Sequence, residues 1–231
     1  MKKILFILLI ISFFKIFTGC NAKDTIPPEA SYYLINVSPD SQGLNFLLDG
    51  SPVTNNLAYG EDTGYITTKP GIHDLQFVNT ATSATLINVN TSLTAGEAYS
   101  IYAIGLTNTL QPVAIRDNAA VPPVDTAEIR LLNFCVGSPS LIAQFAGATD
   151  TLTYSSRTFN DQGSDTTKTL FKRILAGNYT LNLKLAVDST LIDSVPNLVF
   201  NSGKIYTVYL KGIYDTVVSQ SIGAGVLQHN Q

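Results

Sequence analysis

Catalysis needs side chains that titrate, attack or hold a metal, and this chain offers few of them. Its 231 residues include two histidines, His73 and His229, and two cysteines, Cys20 and Cys135. Asp40, Asp49, Glu61, Asp62 and Asp74 supply carboxylates, so a glycosidase pair is formally open. They fall mainly in turn-forming stretches, however, where Asp is ordinary. His73 beside Asp74 reads as a surface turn pair before it reads as a dyad. Asp161-Gln162-Gly163-Ser164-Asp165 lacks the ligand ladder and closing Glu of a calcium loop. There is no Gly-x-Ser-x-Gly elbow, no His-Glu-x-x-His pair and no Gly-x-x-x-x-Gly-Lys phosphate loop. Cys135 sits in the apolar run Arg130–Val136 and reads as a small buried hydrophobe, with no imidazole that can be placed beside it. The expectation is a protein without catalytic residues, metal or cofactor.

The residue with the clearest chemistry is Cys20. Met1-Lys2-Lys3 is a cationic start, and Ile4–Phe14 is apolar apart from Ser12, which has the proportions of a secretory signal. The run is shorter than the ~20 apolar residues that a membrane-spanning helix requires. Ile16-Phe17-Thr18-Gly19-Cys20 then resembles the bacterial lipobox, with Phe17 in place of the commoner Leu. That resemblance implies removal of residues 1–19, acylation of Cys20, and attachment to the membrane through the N-terminal acyl chains, since two or three chains anchor durably. Asn21 is not the Asp that signals inner-membrane retention, so the cell outer membrane is expected, with the protein periplasmic or surface-exposed. Lys23-Asp24 resembles the charged export tag of Bacteroidetes surface lipoproteins. Residues 20–30, polar and broken by Pro27-Pro28, read as a tether.

Composition agrees with an extracytoplasmic module. Only 13% of residues are charged, and 14 basic against 17 acidic side chains leave no cationic surplus, which excludes nucleic acid as a partner. Three lysines and no acid lie in residues 1–19, so the net charge moves from -3 to -6 when they leave. With 45% hydrophobic residues spread along the chain, intrinsic disorder is excluded as well.

The elements that would position any site repeat. Asn36 and Gly50 match Asn133 and Gly147, 97 residues on; Pro70-Gly71 parallels Ala176-Gly177 at 106; and Gly96, Tyr99, Tyr102 and Gly105 match Gly203, Tyr206, Tyr209 and Gly212 at 107. The drift places about ten extra residues between Gly147 and Gly177, with Thr153–Thr169 the expected enlarged loop or strand pair. Each copy is β in character. Tyr99–Ile104 and Ile205–Leu210 are aromatic and β-branched, Leu181–Leu185 alternates strictly, and Asp49-Gly50, Ala95-Gly96 and Asn201-Ser202-Gly203 mark turns. The fold class expected is all-β: two tandem immunoglobulin-like, Greek-key sandwiches of about seven strands each. They would occupy residues 31–118 and 127–231, joined by a Pro-rich linker at 119–126. The tail beyond Ser221 supplies a last edge strand or frays.

Asn36-Val37-Ser38-Pro39-Asp40, Asp49-Gly50, Leu57-Ala58-Tyr59-Gly60, Gly64-Tyr65 and Pro70-Gly71 together resemble the bacterial domain-of-unknown-function family numbered 4397. The resemblance covers residues 32–118 and implies secreted or lipid-anchored sandwich modules, often in tandem, with no established activity. In the second copy Gly137-Ser138-Pro139 is displaced by one position, and the Leu-Ala-Tyr-Gly element becomes something like Ser155–Phe159. Physically, Ser38-Pro39-Asp40 suits a strand-ending turn, Asp49-Gly50 a tight hairpin, and Tyr59 and Tyr65 packing across the sandwich. The functional alternative makes Asp40, Tyr59 and Tyr65 candidate binding residues. The leading expectation is a non-catalytic envelope lipoprotein whose exposed aromatics contact an envelope protein or a glycan. The alternative is a structural subunit or spacer of an envelope or appendage assembly.

Overall fold

The computed structural model describes residues 28–214 and 222–229; the expected signal segment 1–19, Cys20 and the expected tether through residue 27 lie outside them. The first half contains β1 (Ala30–Asn36), β2 (Leu44–Leu48), β3 (Ser51–Leu57), β4 (Ile66–Thr68), β5 (Gly71–Asn79), β6 (Thr85–Leu93), β7 (Ala98–Ile104) and β8 (Gln111–Arg116). The second half repeats them as β9 (Thr126–Asn133), β10 (Leu141–Gly147), β11 (Thr151–Arg157), β12 (Lys172–Leu175), β13 (Gly177–Leu185), β14 (Leu191–Phe200), β15 (Ile205–Lys211) and β16 (Gly223–His229). The strand orders are β4-β1-β7-β8 and β3-β2-β5-β6, then β12-β9-β15-β16 and β11-β10-β13-β14. Within each half the chain passes between its two sheets in Greek-key fashion, and one pair in each, β1/β7 and β9/β15, is parallel. The fold is all-β, two tandem sandwiches.

Each half has eight strands among the described residues, where the sequence suggests about seven. An edge strand such as β3, Ser-Pro-Val-Thr-Asn-Asn-Leu, buries little beyond Leu57 and so carries no hydrophobic period. The tail forms β16, an edge strand on β15.

Packing follows from how the inner strands divide their side chains. On β1, Tyr32 and Leu34 join the core of the first sandwich with Phe46 and Phe77, while Tyr33 and Ile35 face the other way. On β9 and β15, Ile129, Leu131, Tyr206 and Val208 join the second core with Phe145 and Phe200. Their alternate neighbours Leu132 and Tyr209, with Phe134 just past β9, meet Tyr33, Ile35, Tyr102 and Ile104 in a third apolar cluster. The two inner sheets therefore pack on each other, forming a seam between the halves. Strands buried on both faces read as continuous apolar runs rather than as alternation, which is why Tyr99–Ile104 and Ile205–Leu210 look as they do.

The duplication extends to single hydrogen bonds. Asn36 closes β1: its Nδ2 donates to Ser41 Oγ (2.8 Å) and Leu57 O (2.9 Å), and its Oδ1 accepts from Ser38 N (3.0 Å). Asn133 closes β9 in the same way, with Ser138 Oγ (3.0 Å), Arg157 O (3.3 Å) and Cys135 N (3.0 Å). Gly60 N donates to Asn36 O and Asn160 N to Asn133 O. Gly60 (φ 82°) and Asn160 (φ 50°) are both left-handed, a conformation that Gly and Asn reach most readily. The counterpart of Leu57-Ala58-Tyr59-Gly60 is thus Arg157-Thr158-Phe159-Asn160, not Ser155–Phe159, because three extra residues enter before it, around the β10–β11 hairpin. The other added residues fall between Asn160 and Gly177 and form two 3-10 turns, Asp161–Gly163 and Thr166–Thr169.

Removing either asparagine leaves buried backbone groups without partners. Asn36→Ala and Asn133→Ala should each cost about 1–3 kcal/mol in urea unfolding, against at most about 0.5 kcal/mol for exposed Asn90→Ala.

Candidate functional site

The densest collection of polar side chains lies in the seam. Arg130, in the middle of β9, is fully buried, and so is Asp117, the first residue after β8. Arg130 Nη2 donates to Asp117 Oδ1 at 2.5 Å, Nη1 to Arg116 O at 2.9 Å, and Nε to Thr207 Oγ1 on β15 at 3.0 Å. Asp117 Oδ2 accepts from Ser100 Oγ on β7 (2.7 Å) and from Tyr65 Oη (3.0 Å). His229, at the end of β16, lies between Tyr65 Oη (2.8 Å to Nδ1) and Thr207 Oγ1 (2.7 Å to Nε2). The Phe171 ring covers the group, 4.7 Å from the Arg130 guanidinium carbon.

Donor counting fixes the direction of every bond. The carboxylate only accepts, so Tyr65 gives its proton to Asp117 and must accept from His229 Nδ1–H. Nε2 then accepts from the Thr207 hydroxyl, which accepts in turn from Arg130. The result is a closed ring through Arg130, Thr207, His229, Tyr65 and Asp117, with two members from the first sandwich and three from the second. Burial, with the Arg130 charge, pulls the His229 imidazole down to about 4 against the pull of Asp117, so it is neutral at neutral pH. Burial, and secondarily the Asp117 carboxylate, pushes the Tyr65 phenol far above its usual range.

The candidate binding residues occupy two different places. Tyr65 belongs to the ring and packs edge-on against Tyr33, with centroids 4.2 Å apart. Tyr59 also faces the second sandwich: Lys211 Nζ lies 5.1 Å from its ring centroid, and burial raises its phenol to about 12. Asp40 instead braces loops, accepting from Thr107 N (2.8 Å), Thr107 Oγ1 (3.0 Å) and Ser38 Oγ (3.2 Å). Cys20 lies outside the described residues. Cys135 is fully buried, and burial pushes its thiol up to about 12, far from a reactive thiolate. His73 pairs with Asp49 Oδ2 (2.7 Å) rather than with Asp74, and its other nitrogen meets Lys69 O (2.8 Å). Asp161 is taken by both Arg157 Nε and Nη2, and Asp165 caps the Thr166–Thr169 turn.

Most of the tyrosines fill cores rather than the surface. Tyr32, Tyr33, Tyr102, Tyr154, Tyr179, Tyr206 and Tyr209 are buried, and Tyr214 is the tyrosine that is exposed. Inner strands with two dry faces consume aromatic side chains on both. Sequence reasoning also missed the ring. Its one visible signal is an arginine at the centre of the apolar run Ala127–Cys135, opposite a threonine in Ile205–Leu210.

Residues 30–144, which comprise the first sandwich, β9 and the start of β10, match the model of a family described as a domain of unknown function, DUF4397. The chain belongs to the DUF4397 family. No curated protein matches it in sequence. Among solved structures it is similar to CBMbc of family CBM26 from Eubacterium rectale Amy13K, in complex with maltoheptaose (12% identity, 87% of this chain and 98% of that one, TM-score 0.26). It is also similar to candidate cell adhesion proteins from Bacteroides fragilis (12% identity, 89% and 96%, TM-score 0.24) and Parabacteroides distasonis (11% identity, 87% and 99%, TM-score 0.20). At these TM-scores the likenesses carry no argument about this DUF4397 chain.

The ring makes a pH prediction. The His229 pKa falls on folding, so the unfolded chain binds the extra proton and stability drops as pH is lowered from ~6.5 to about 4, by about 3 kcal/mol. His73 acts in the opposite sense: burial lowers its pKa, but the bonds to Asp49 and Lys69 outweigh this and raise it. Its contribution is full below the unfolded pKa and is lost as pH rises through the folded one. Melting temperatures at pH 7 and 4.5 should therefore lie closer together in His229→Gln than in wild type, and farther apart in His73→Gln.

Proposed function

We propose that this DUF4397 chain is a non-catalytic outer-membrane lipoprotein, anchored through acylated Cys20, that presents a protein- or glycan-binding surface on a rigid body of two fused sandwiches. The observation that carries the reading is the commitment of the chemically competent side chains to structure. The chain has only two imidazoles, and one is locked in the seam while the other is tied to a hairpin carboxylate. The Cys135 thiol is sealed in the second core. Side chains held this tightly support rigidity rather than turnover, and a preorganised surface loses little entropy when it binds.

The reading draws further support from the outer surface. Val187 (86% exposed) and Leu191 (54%) stand out from the β13–β14 hairpin, and Val199 (53%) from the edge strand β14. Exposed aliphatic groups on an edge suit contact with another macromolecule.

The test uses the full-length lipoprotein and its Cys20→Ser variant. Wild type should fractionate with the outer membrane and incorporate labelled palmitate, and the variant should do neither. Crosslinking in the native envelope and a glycan array should then identify at least one saturable partner. Failure of both assays with well-folded, acylated protein would remove the binding reading.

A further inference from the structure

The residues added in the second sandwich do more than lengthen a loop. Their two 3-10 turns lie alongside β8 of the first sandwich, and Asn160 Nδ2 reaches Gln111 Oε1 across the gap (3.4 Å). Between them is a cleft of about 330 Å³, lined by Val113, Ala114 and Ile115 on one side and Gln162, Thr166 and Thr169 on the other. That volume is within the ~300–1,000 Å³ range of small-molecule sites. The first sandwich has no counterpart, because the equivalent connection between β3 and β4 lacks the added residues.

One side chain in the cleft points to a ligand. Gln162 is 4% exposed, and its Nε2 donates to Asn160 Oδ1 at 2.9 Å. Its Oε1 is buried and has no hydrogen-bond donor among the described residues. A buried acceptor left unpaired costs about 1–3 kcal/mol, and a donor in the cleft recovers that cost once the Gln162 amide turns toward it.

The chemistry of the walls narrows the donor. A carboxylate, sulfate or phosphate cannot donate, and residues 31–118 carry 7 acidic against 2 basic side chains, which repels anions. Arg116 also borders the cleft, but its guanidinium is engaged by Glu97. A peptide adding to β8 is disfavoured: Pro112 has no N–H to offer, and the Arg116 carbonyl is taken by Arg130. A sugar ring fits what remains. It brings hydroxyl donors for Gln162 Oε1, hydroxyls able to pair with Thr166 and Thr169, and a C–H face for the partly buried Val113.

We infer that the cleft between β8 and the inserted 3-10 turns binds one unit of a neutral saccharide, with a sugar hydroxyl donating to Gln162 Oε1. This rests on the binding reading above and names both its site and its ligand class. A second cavity among the described residues, about 240 Å³ beside β11, is lined by Arg157, Lys168 and Lys172. There Arg157 is paired with Asp161, and Lys172 lies over the Tyr154 ring at 4.5 Å.

The test is calorimetric titration of the full-length protein with neutral gluco-, manno-, galacto- and xylo-oligosaccharides, and with oligogalacturonate. At least one neutral oligosaccharide should bind and oligogalacturonate should not. Gln162→Leu should weaken that binding about tenfold or more while leaving the melting temperature unchanged or raised, since it removes an unpaired acceptor. Thr166→Trp, at an exposed position of the inserted turns, should block the cleft without touching either core. Preferred binding of oligogalacturonate, or a neutral ligand indifferent to both substitutions, overturns the cleft assignment. If in that case an envelope protein or glycan still binds elsewhere, the broader reading stands; if nothing binds in any assay, both fall.

Discussion

The Arg130–Asp117 pair is the interaction around which the two halves are arranged. Removing two charges completely from water costs several kcal/mol per ion, and the mutual attraction offsets this only when geometry and additional bonds are good. Here Arg130 also donates to Thr207 and to the Arg116 carbonyl, and Asp117 also accepts from Ser100 and Tyr65. Such a pair adds less net stability than it adds discrimination. Any sliding or rotation of one inner sheet against the other would leave buried charges and hydroxyls unpaired, so a single relative placement is selected. The apolar residues of the seam supply adhesion and the ring supplies register.

That arrangement explains how two copies of one unit have diverged. The asparagine braces of both copies are intact, because every unit needs its first strand closed. Differences gather where the copies meet. Tyr59 faces Lys211, and the position equivalent to Leu57 has become Arg157, which binds Asp161 and the Leu131 carbonyl. The added residues place Phe171 over Arg130 and Gln162 beside β8. The second copy is thus altered mainly where it packs on the first.

Much of the fold is legible in the sequence. Repeated Gly and Tyr spacings locate equivalent strands, and aromatic, β-branched runs identify β7 and β15. The seam is not, because a continuous apolar run shows that both faces of a strand are dry but not what covers the second face. The many tyrosines suggest a recognition surface for the same reason: composition records how much aromatic area exists, not which side of a sheet it lies on. The ring is hidden because its five members are scattered from residue 65 to residue 229 and each is ordinary locally. Gln162 gives no local sign either, since an acceptor is unpaired only relative to a fold.

Arg130 and Asp117 lock the two sandwiches into one body. A double-mutant cycle followed by calorimetric unfolding tests it most directly. Asp117→Leu and Arg130→Met should each cost about 3–5 kcal/mol by stranding the other charge, whereas the double variant should recover most of that loss, as expected when both charges go together. Wild type should unfold in one cooperative transition. Additive single-variant costs, with two separate transitions in wild type, would show that the halves fold independently and that the pair does not join them.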